Sequence, residues 1–266
     1  MVTWIIETLL MLTASASIFL AFIAVLFFLQ RLVCSLVVRN FGNRSIYLSA
    51  IVGTPIHEIS HAIACILFRH KVLEVALFKP DGAGTLGYVH HSYNPLSLWQ
   101  QIGNFFIGTA PLVGGTASIY FLTYLLLPNS QEIFEAITSS TSAYQNVRGA
   151  TSFVVALLSE LTDISRLIYL AAKEVPYRFA LWTYLTGAIA LHLSPSPADM
   201  KGSVKGFLLI LLLLTAFRLT SSSASDNFFS ALSGALLSLS VTYSLCILLA
   251  AILATAIFTL SLITKR

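Results

Sequence analysis

Two histidines four residues apart, with a glutamate beside the first, are the side chains of this sequence best suited to chemistry: His57-Glu58-Ile59-Ser60-His61. On an α-helix, positions i and i+4 stack on one face, so both imidazoles can reach a single cation. Glu58 borders that face, placed to take a proton from water on the cation without binding the cation itself. With six histidines and seven glutamates in 266 residues, the pattern is expected by chance only roughly 0.004 times. It sits between two almost wholly apolar runs, 46–56 and 62–68, where an ionisable group without a partner is costly. The nearest basic side chains, Arg44 and Arg69, lie outside the segment, so an internal ion pair does not account for Glu58. Zn2+ is the expected cofactor, because neutral imidazoles with one carboxylate suit it.

The elements that position this string belong to a membrane. The chain is 57% hydrophobic and only 10% charged, against about 25% charged for an ordinary soluble domain. A net charge of +4 fits basic loops at a lipid surface, and there is no basic stripe of the kind nucleic acid requires. Cys34, Cys65 and Cys246 have unrelated spacings in apolar segments, which argues against both a disulfide framework and a thiolate metal site. The N-terminal apolar run, 8–29, carries no basic leader and is too long for a signal peptide's core, so it reads as a first span.

The pattern predicts an all-α polytopic membrane protein of about six transmembrane helices, near 8–38, 46–68, 104–127, 178–193, 204–219 and 231–263. A small β-hairpin is expected after the HExxH helix, from the β-prone runs 72–78 and 85–91 around Pro80-Asp81-Gly82. Its edge could hold an extended peptide. The first half of 128–173 is Ser- and Thr-rich and reads as a loop. The second half, 152–172, reads as an interfacial amphipathic helix, with Glu160, Asp163 and Arg166 on a solvated face. With no repeat and no long linker, 1–266 is one domain, its core near 46–215 and its additional spans 8–38 and 231–263.

A catalytic zinc takes three protein ligands and keeps one position open. Candidates for the third ligand are Asp81, His90, His91, Glu160, Asp163, His192 and Asp199. Asp199 is preferred. Pro195 and Pro197 must break a helix just before it, and irregular backbone at membrane depth survives only when buried in protein or lining a cavity. The competing reading makes Asp199 the N-cap of the next span. His90 and His91 are adjacent, so on a strand they face opposite sides and read as surface residues. Asp81 reads as a turn residue.

Three segments together resemble the site-2 protease class of intramembrane zinc metalloproteases. They are His57-Glu58-Ile59-Ser60-His61, then Gly108-Thr109-Ala110-Pro111-Leu112-Val113-Gly114, then Pro195-Ser196-Pro197-Ala198-Asp199. The resemblance covers 46–215 in arrangement and about 25 residues in motif; Met200 stands where that class usually has glycine. It implies His57, His61 and Asp199 as metal ligands and Glu58 as general base. It also implies that His192 occupies the place of an asparagine that helps hold the scissile peptide. The implied partners are the lipid bilayer and a membrane protein or peptide substrate. The implied location is multi-pass in a bacterial cell membrane, with loop 70–104 and both termini in the cytoplasm, to which Lys265 and Arg266 lend support. Two rival classes are a non-catalytic zinc-binding scaffold and a metal or proton transporter. The transporter is disfavoured by the lack of paired broken helices.

Overall fold

The computed structural model describes residues 2–82, 84–145, 147, 149–219 and 223–264, with the backbone alone described for 2–12 and 260–264. Lys265 and Arg266 lie outside the described residues. The chain begins with α1 (Val2–Phe41), passes a short 3-10 turn (Asn43–Ile46), and enters α2 (Tyr47–Leu67), which carries the HExxH string. An antiparallel hairpin follows, β1 (Lys71–Ala76) and β2 (Tyr88–Ser92), paired from Lys71 opposite Ser92 to Ala76 opposite Tyr88. A bulge between Val72 and Glu74 shifts the register. The pairing continues into the turn, where Lys79 N–H donates to the Leu86 carbonyl and Asp81 Oδ1 accepts from Thr85 N–H.

The remainder is helical: α3 (Leu98–Leu126), α4 (Ser130–Ser139), α5 (Thr141–Gln145), α6 (Ala150–Glu174), α7 (Pro176–Ala190), α8 (Pro197–Arg218) and α9 (Ser223–Thr264). The protein is therefore an all-α polytopic membrane protein with one small two-stranded sheet. Among the described residues, five helices are long and apolar enough to cross a bilayer: α1, α2 with its preceding turn, α3, α8 and α9. About six were expected, and the remaining segment, near 178–193, is the shorter α7. Helix α7 has 15 residues and so extends only about 22 Å, short of the ~30 Å hydrocarbon core.

Two further expectations change. The segment expected as a loop after Pro128 holds α4 and α5, because Ile133 and Ile137 stack at helical spacing and bury fully with Tyr144 in the main core. In α6, Asp163 and Arg166 are exposed as expected, but Glu160 is only 2% exposed and accepts a hydrogen bond from the Tyr144 hydroxyl at 2.7 Å. It lies on the stripe Leu157, Glu160, Ile164, Ile168 and Ala171 that α6 turns to the core.

Helices α1 and α9 pack along one another, joined by a Ser15–Ser233 hydroxyl pair at 2.5 Å. Gln30 of α1 donates to the carbonyl of Ala190, the last residue of α7, so this outer pair also braces the chain where α7 ends. Helix α3 packs on α2, α7 and α8, and α2 packs on α7. Helix α8 runs antiparallel to α3: Gly206 lies against Gln101 and Phe105 while Gly108 lies against Asp199.

Candidate metal centre

Histidines 57 and 61 sit well inside α2, His57 about 15 Å from its start along the axis. Asp199 comes from the first turn of α8. The three side chains converge, with one ligand atom from each lying within 4.8 Å of the others. The two Nε2 atoms are 3.1 Å apart. Asp199 Oδ1 is 3.4 Å from His61 Nε2, and Oδ2 is 3.7 Å from His57 Nε2. Ligands on a tetrahedral zinc with bonds near 2.0–2.1 Å stand about 3.3 Å from one another. The Nε2–Nε2 distance and the distance from Oδ1 to His61 are close to that spacing.

Each imidazole is turned by its other nitrogen. His57 Nδ1 donates to the His192 carbonyl at 2.6 Å, and His61 Nδ1 donates to the Ile107 carbonyl at 2.7 Å. A carbonyl can only accept, so both Nδ1 atoms carry hydrogen, and each ring turns its Nε2 toward the other and toward Asp199, where it can bind a cation. The donor set thus fits a divalent metal, and the carbonyls are the outer partners such ligands require.

The Ile107 carbonyl is available for a specific reason. It lies four residues before Pro111, inside α3. Proline has no N–H, so the carbonyl four residues earlier loses its helical partner. That orphan receives His61. The His192 carbonyl is free for a similar reason, since His192 lies past the end of α7, ahead of the prolines that open α8. Replacing Pro111 with Ala restores an N–H that competes for the Ile107 carbonyl. We expect metal affinity to fall about tenfold, within the range for outer-partner loss, in a competition titration against a chromogenic chelator. Unchanged affinity would remove Pro111 from the site's construction.

Asp199 is fixed from its own helix. Ser196 is the N-cap of α8, its Oγ accepting from Asp199 N–H at 3.2 Å while Asp199 Oδ2 accepts from Ser196 N–H at 2.7 Å. This reciprocal capping box places the carboxylate. Asp199 is therefore the third helical residue, and Ser196, not Asp199, is the N-cap. Gly108 completes the approach: a methyl there would overlap Ser203 Oγ and the Asp199 carbonyl, so only glycine lets α3 pass this close to the first turn of α8.

The three residues line a cavity of about 900 Å³. Glu58 also lines it; the residue is 7% exposed, and its carboxylate has no hydrogen-bond partner among the described residues. Thr54, one turn earlier, lines it too and has a buried, unpartnered Oγ1. The opposite wall is continuous chain from Gly84 through β2 to His91, apart from Ala83 before it, which is not described. Gly87 brings that wall against α2, where a Cβ would stand 2.9 Å from both Glu58 Cγ and Thr54 Cγ2.

The other third-ligand candidates do not reach the metal-binding atoms. Asp81 closes the hairpin turn, Glu160 is buried against Tyr144, and Asp163 is exposed on α6. His90 is exposed, 3.8 Å from Glu74. His91 is paired with His70. His192 meets the site through its backbone carbonyl, while its ring Nε2 lies 3.2 Å from Ser49 Oγ. Ser49 Oγ is also 3.0 Å from the Ile46 carbonyl.

Sequence reasoning missed the Ile107 carbonyl, Ser196 and His70. The signal for the first was Pro111 four residues later, and for the second the Ser-x-x-Asp box; nothing marked His70.

The fold and site define a multi-pass membrane protein with a His-His-Asp group able to hold a metal ion. No protein-family model matches the chain, and comparison with curated proteins and with solved structures yields no match.

Proposed function

We propose that this protein is an intramembrane zinc metallopeptidase, a distant relative of the site-2 protease class, hydrolysing peptide bonds of membrane-embedded or membrane-adjacent substrates. The observation that carries the reading is the convergence of His57, His61 and Asp199 from two helices onto a cavity that also holds an unpaired Glu58. A structural metal site has no use for a buried free carboxylate beside it, whereas hydrolysis needs a base there.

Bound by the three side chains, zinc supplies Lewis acidity, acidifying water and polarising a carbonyl. Glu58 accepts the proton of the attacking water and delivers it to the nitrogen of the leaving amine. The resemblance gives His192 a part in holding the scissile peptide; with Ser49 Oγ donating to the Ile46 carbonyl, His192 Nε2 donates to Ser49 Oγ, which anchors the ring beside the cavity. A helical substrate hides its carbonyls in its own hydrogen bonds, so it must be unwound to react. Residues 88–91 of β2 line the cavity, and a strand edge there would offer backbone groups to an extended chain.

The test is hydrolysis of a synthetic transmembrane peptide by the purified full-length protein. Cleavage should vanish with o-phenanthroline and return with added Zn2+. Metal content should fall in a His57→Ala, His61→Ala double variant. Equal metal in both proteins, or cleavage indifferent to chelation, overturns the reading.

A further inference from the structure

The hairpin brings a second pair of histidines to the cavity. His70, between α2 and β1, is 5% exposed and stacks on Tyr93. Its Nε2 lies 2.9 Å from the Gln100 carbonyl, and its Nδ1 lies 3.0 Å from Nδ1 of His91. The hydrogens follow from these contacts. A carbonyl only accepts, so His70 Nε2 carries the hydrogen and its Nδ1 is a lone pair. His91 Nδ1 must then be the donor. That leaves His91 Nε2 as a lone pair, on a half-buried residue that lines the same cavity as Glu58. His91 Nε2 has no protein partner among the described residues.

The chain from the Gln100 carbonyl through His70 to His91 thus fixes one tautomer, as orienting partners do for functional imidazoles elsewhere. We infer that His91 is a substrate-binding residue, its Nε2 accepting a hydrogen bond from a peptide N–H of the chain in the cavity, and that His70 is its positioning residue. The inference rests on the peptidase reading for the nature of the ligand. The tautomer does not depend on that reading. An acceptor here complements the site: the metal recognises a carbonyl, and His91 recognises an N–H of the same backbone.

The charge state supports this role. His91 is held below the ordinary imidazole value, chiefly by burial, which penalises the charged ring. The lone pair therefore persists through neutral pH. An added proton must go to Nε2, since Nδ1 is already donating, and it turns the acceptor into a donor. Binding should weaken only below about pH 6.5, the unperturbed imidazole value.

The experiment uses the full-length Glu58→Gln protein, which binds without turnover. The probe is a synthetic leucine-alanine transmembrane peptide with a central Asn-Pro helix break. Nitrogen NMR of 15N-histidine protein at neutral pH should show His91 with a protonated Nδ1 and a bare Nε2 that shifts when the peptide is added. In the same background, His91→Phe should weaken peptide binding roughly tenfold, the scale of one hydrogen bond, with metal content unchanged, and His91→Gln should recover part of the loss. A protonated Nε2, or equal binding by the Phe variant, overturns the inference. Cleavage by the unsubstituted protein with binding indifferent to His91 would sink this inference alone. Binding that depends on His91 without any cleavage would sink the peptidase reading and leave the inference standing.

Discussion

Glu58→Gln should leave the metal in place and abolish hydrolysis. The substitution keeps the shape of the side chain and removes only its ability to take a proton. Glu58 is not among the three residues whose nitrogen or oxygen atoms converge, so the donors at 3.1, 3.4 and 3.7 Å are untouched. With no hydrogen-bond partner among the described residues, its carboxylate supports no neighbouring group whose loss would confuse the result. General acid–base catalysis contributes about 10²–10⁴-fold, which corresponds to roughly 3–5 kcal/mol of barrier. We expect a rate loss of that size in peptide hydrolysis, with metal content by mass spectrometry and thermal midpoint both unchanged. If the variant keeps full activity, Glu58 is not the base. If neither protein cleaves and both hold zinc, the site is a scaffold.

Asp199→Asn should lose the metal while the fold survives. Asparagine has nearly the volume of aspartate, and its side-chain oxygen can still accept from Ser196 N–H, so the start of α8 is preserved. What disappears is the negative charge that offsets the cation between two neutral imidazoles. Losing an outer partner weakens metal binding about 10–100-fold; losing a direct ligand should exceed that range. Ser196→Ala separates the two duties of this residue. It removes the hydroxyl that holds Asp199 N–H, costing about 1 kcal/mol of stability, yet leaves the carboxylate able to bind. Its metal affinity should therefore fall far less than that of Asp199→Asn. Equal affinity of Asp199→Asn and the unsubstituted protein would reduce Asp199 to a capping residue.

The parts of this protein legible in its sequence are those fixed by local periodicity. An i, i+4 histidine pair lands on one helix face wherever the helix goes, so His57 and His61 were readable with Glu58 beside them. Long apolar runs demand helices in lipid, which gave the polytopic class and the approximate positions of α1, α2, α3, α8 and α9. The hairpin followed from turn chemistry between β-prone runs. Asp199 was reachable because two prolines must break the chain before it.

Hydropathy failed where burial is supplied by protein rather than lipid. Helix α7 is apolar but has only 15 residues, and Glu160 lies on a core stripe where the Tyr144 hydroxyl donates to one of its two oxygens. The pairing of His70 with His91 joins residues 21 apart across a bulged hairpin, and its register is set by the fold. Both His90 and His91 line the cavity, and that His91 and not His90 meets His70 was a matter of packing.

By itself, then, the sequence determined a membrane-embedded helical chain, two imidazoles with a neighbouring carboxylate on one helix face, and a break ahead of an acid. Only the tertiary structure decided that α8 runs antiparallel to α3 with Asp199 against Gly108, that the carbonyl orphaned by Pro111 turns His61, and that the chain after α7 turns His57. The division has a physical cause. Helical periodicity places side chains that are four residues apart, but the meeting of atoms far apart in the chain depends on how closely two backbones can approach, which is settled by packing.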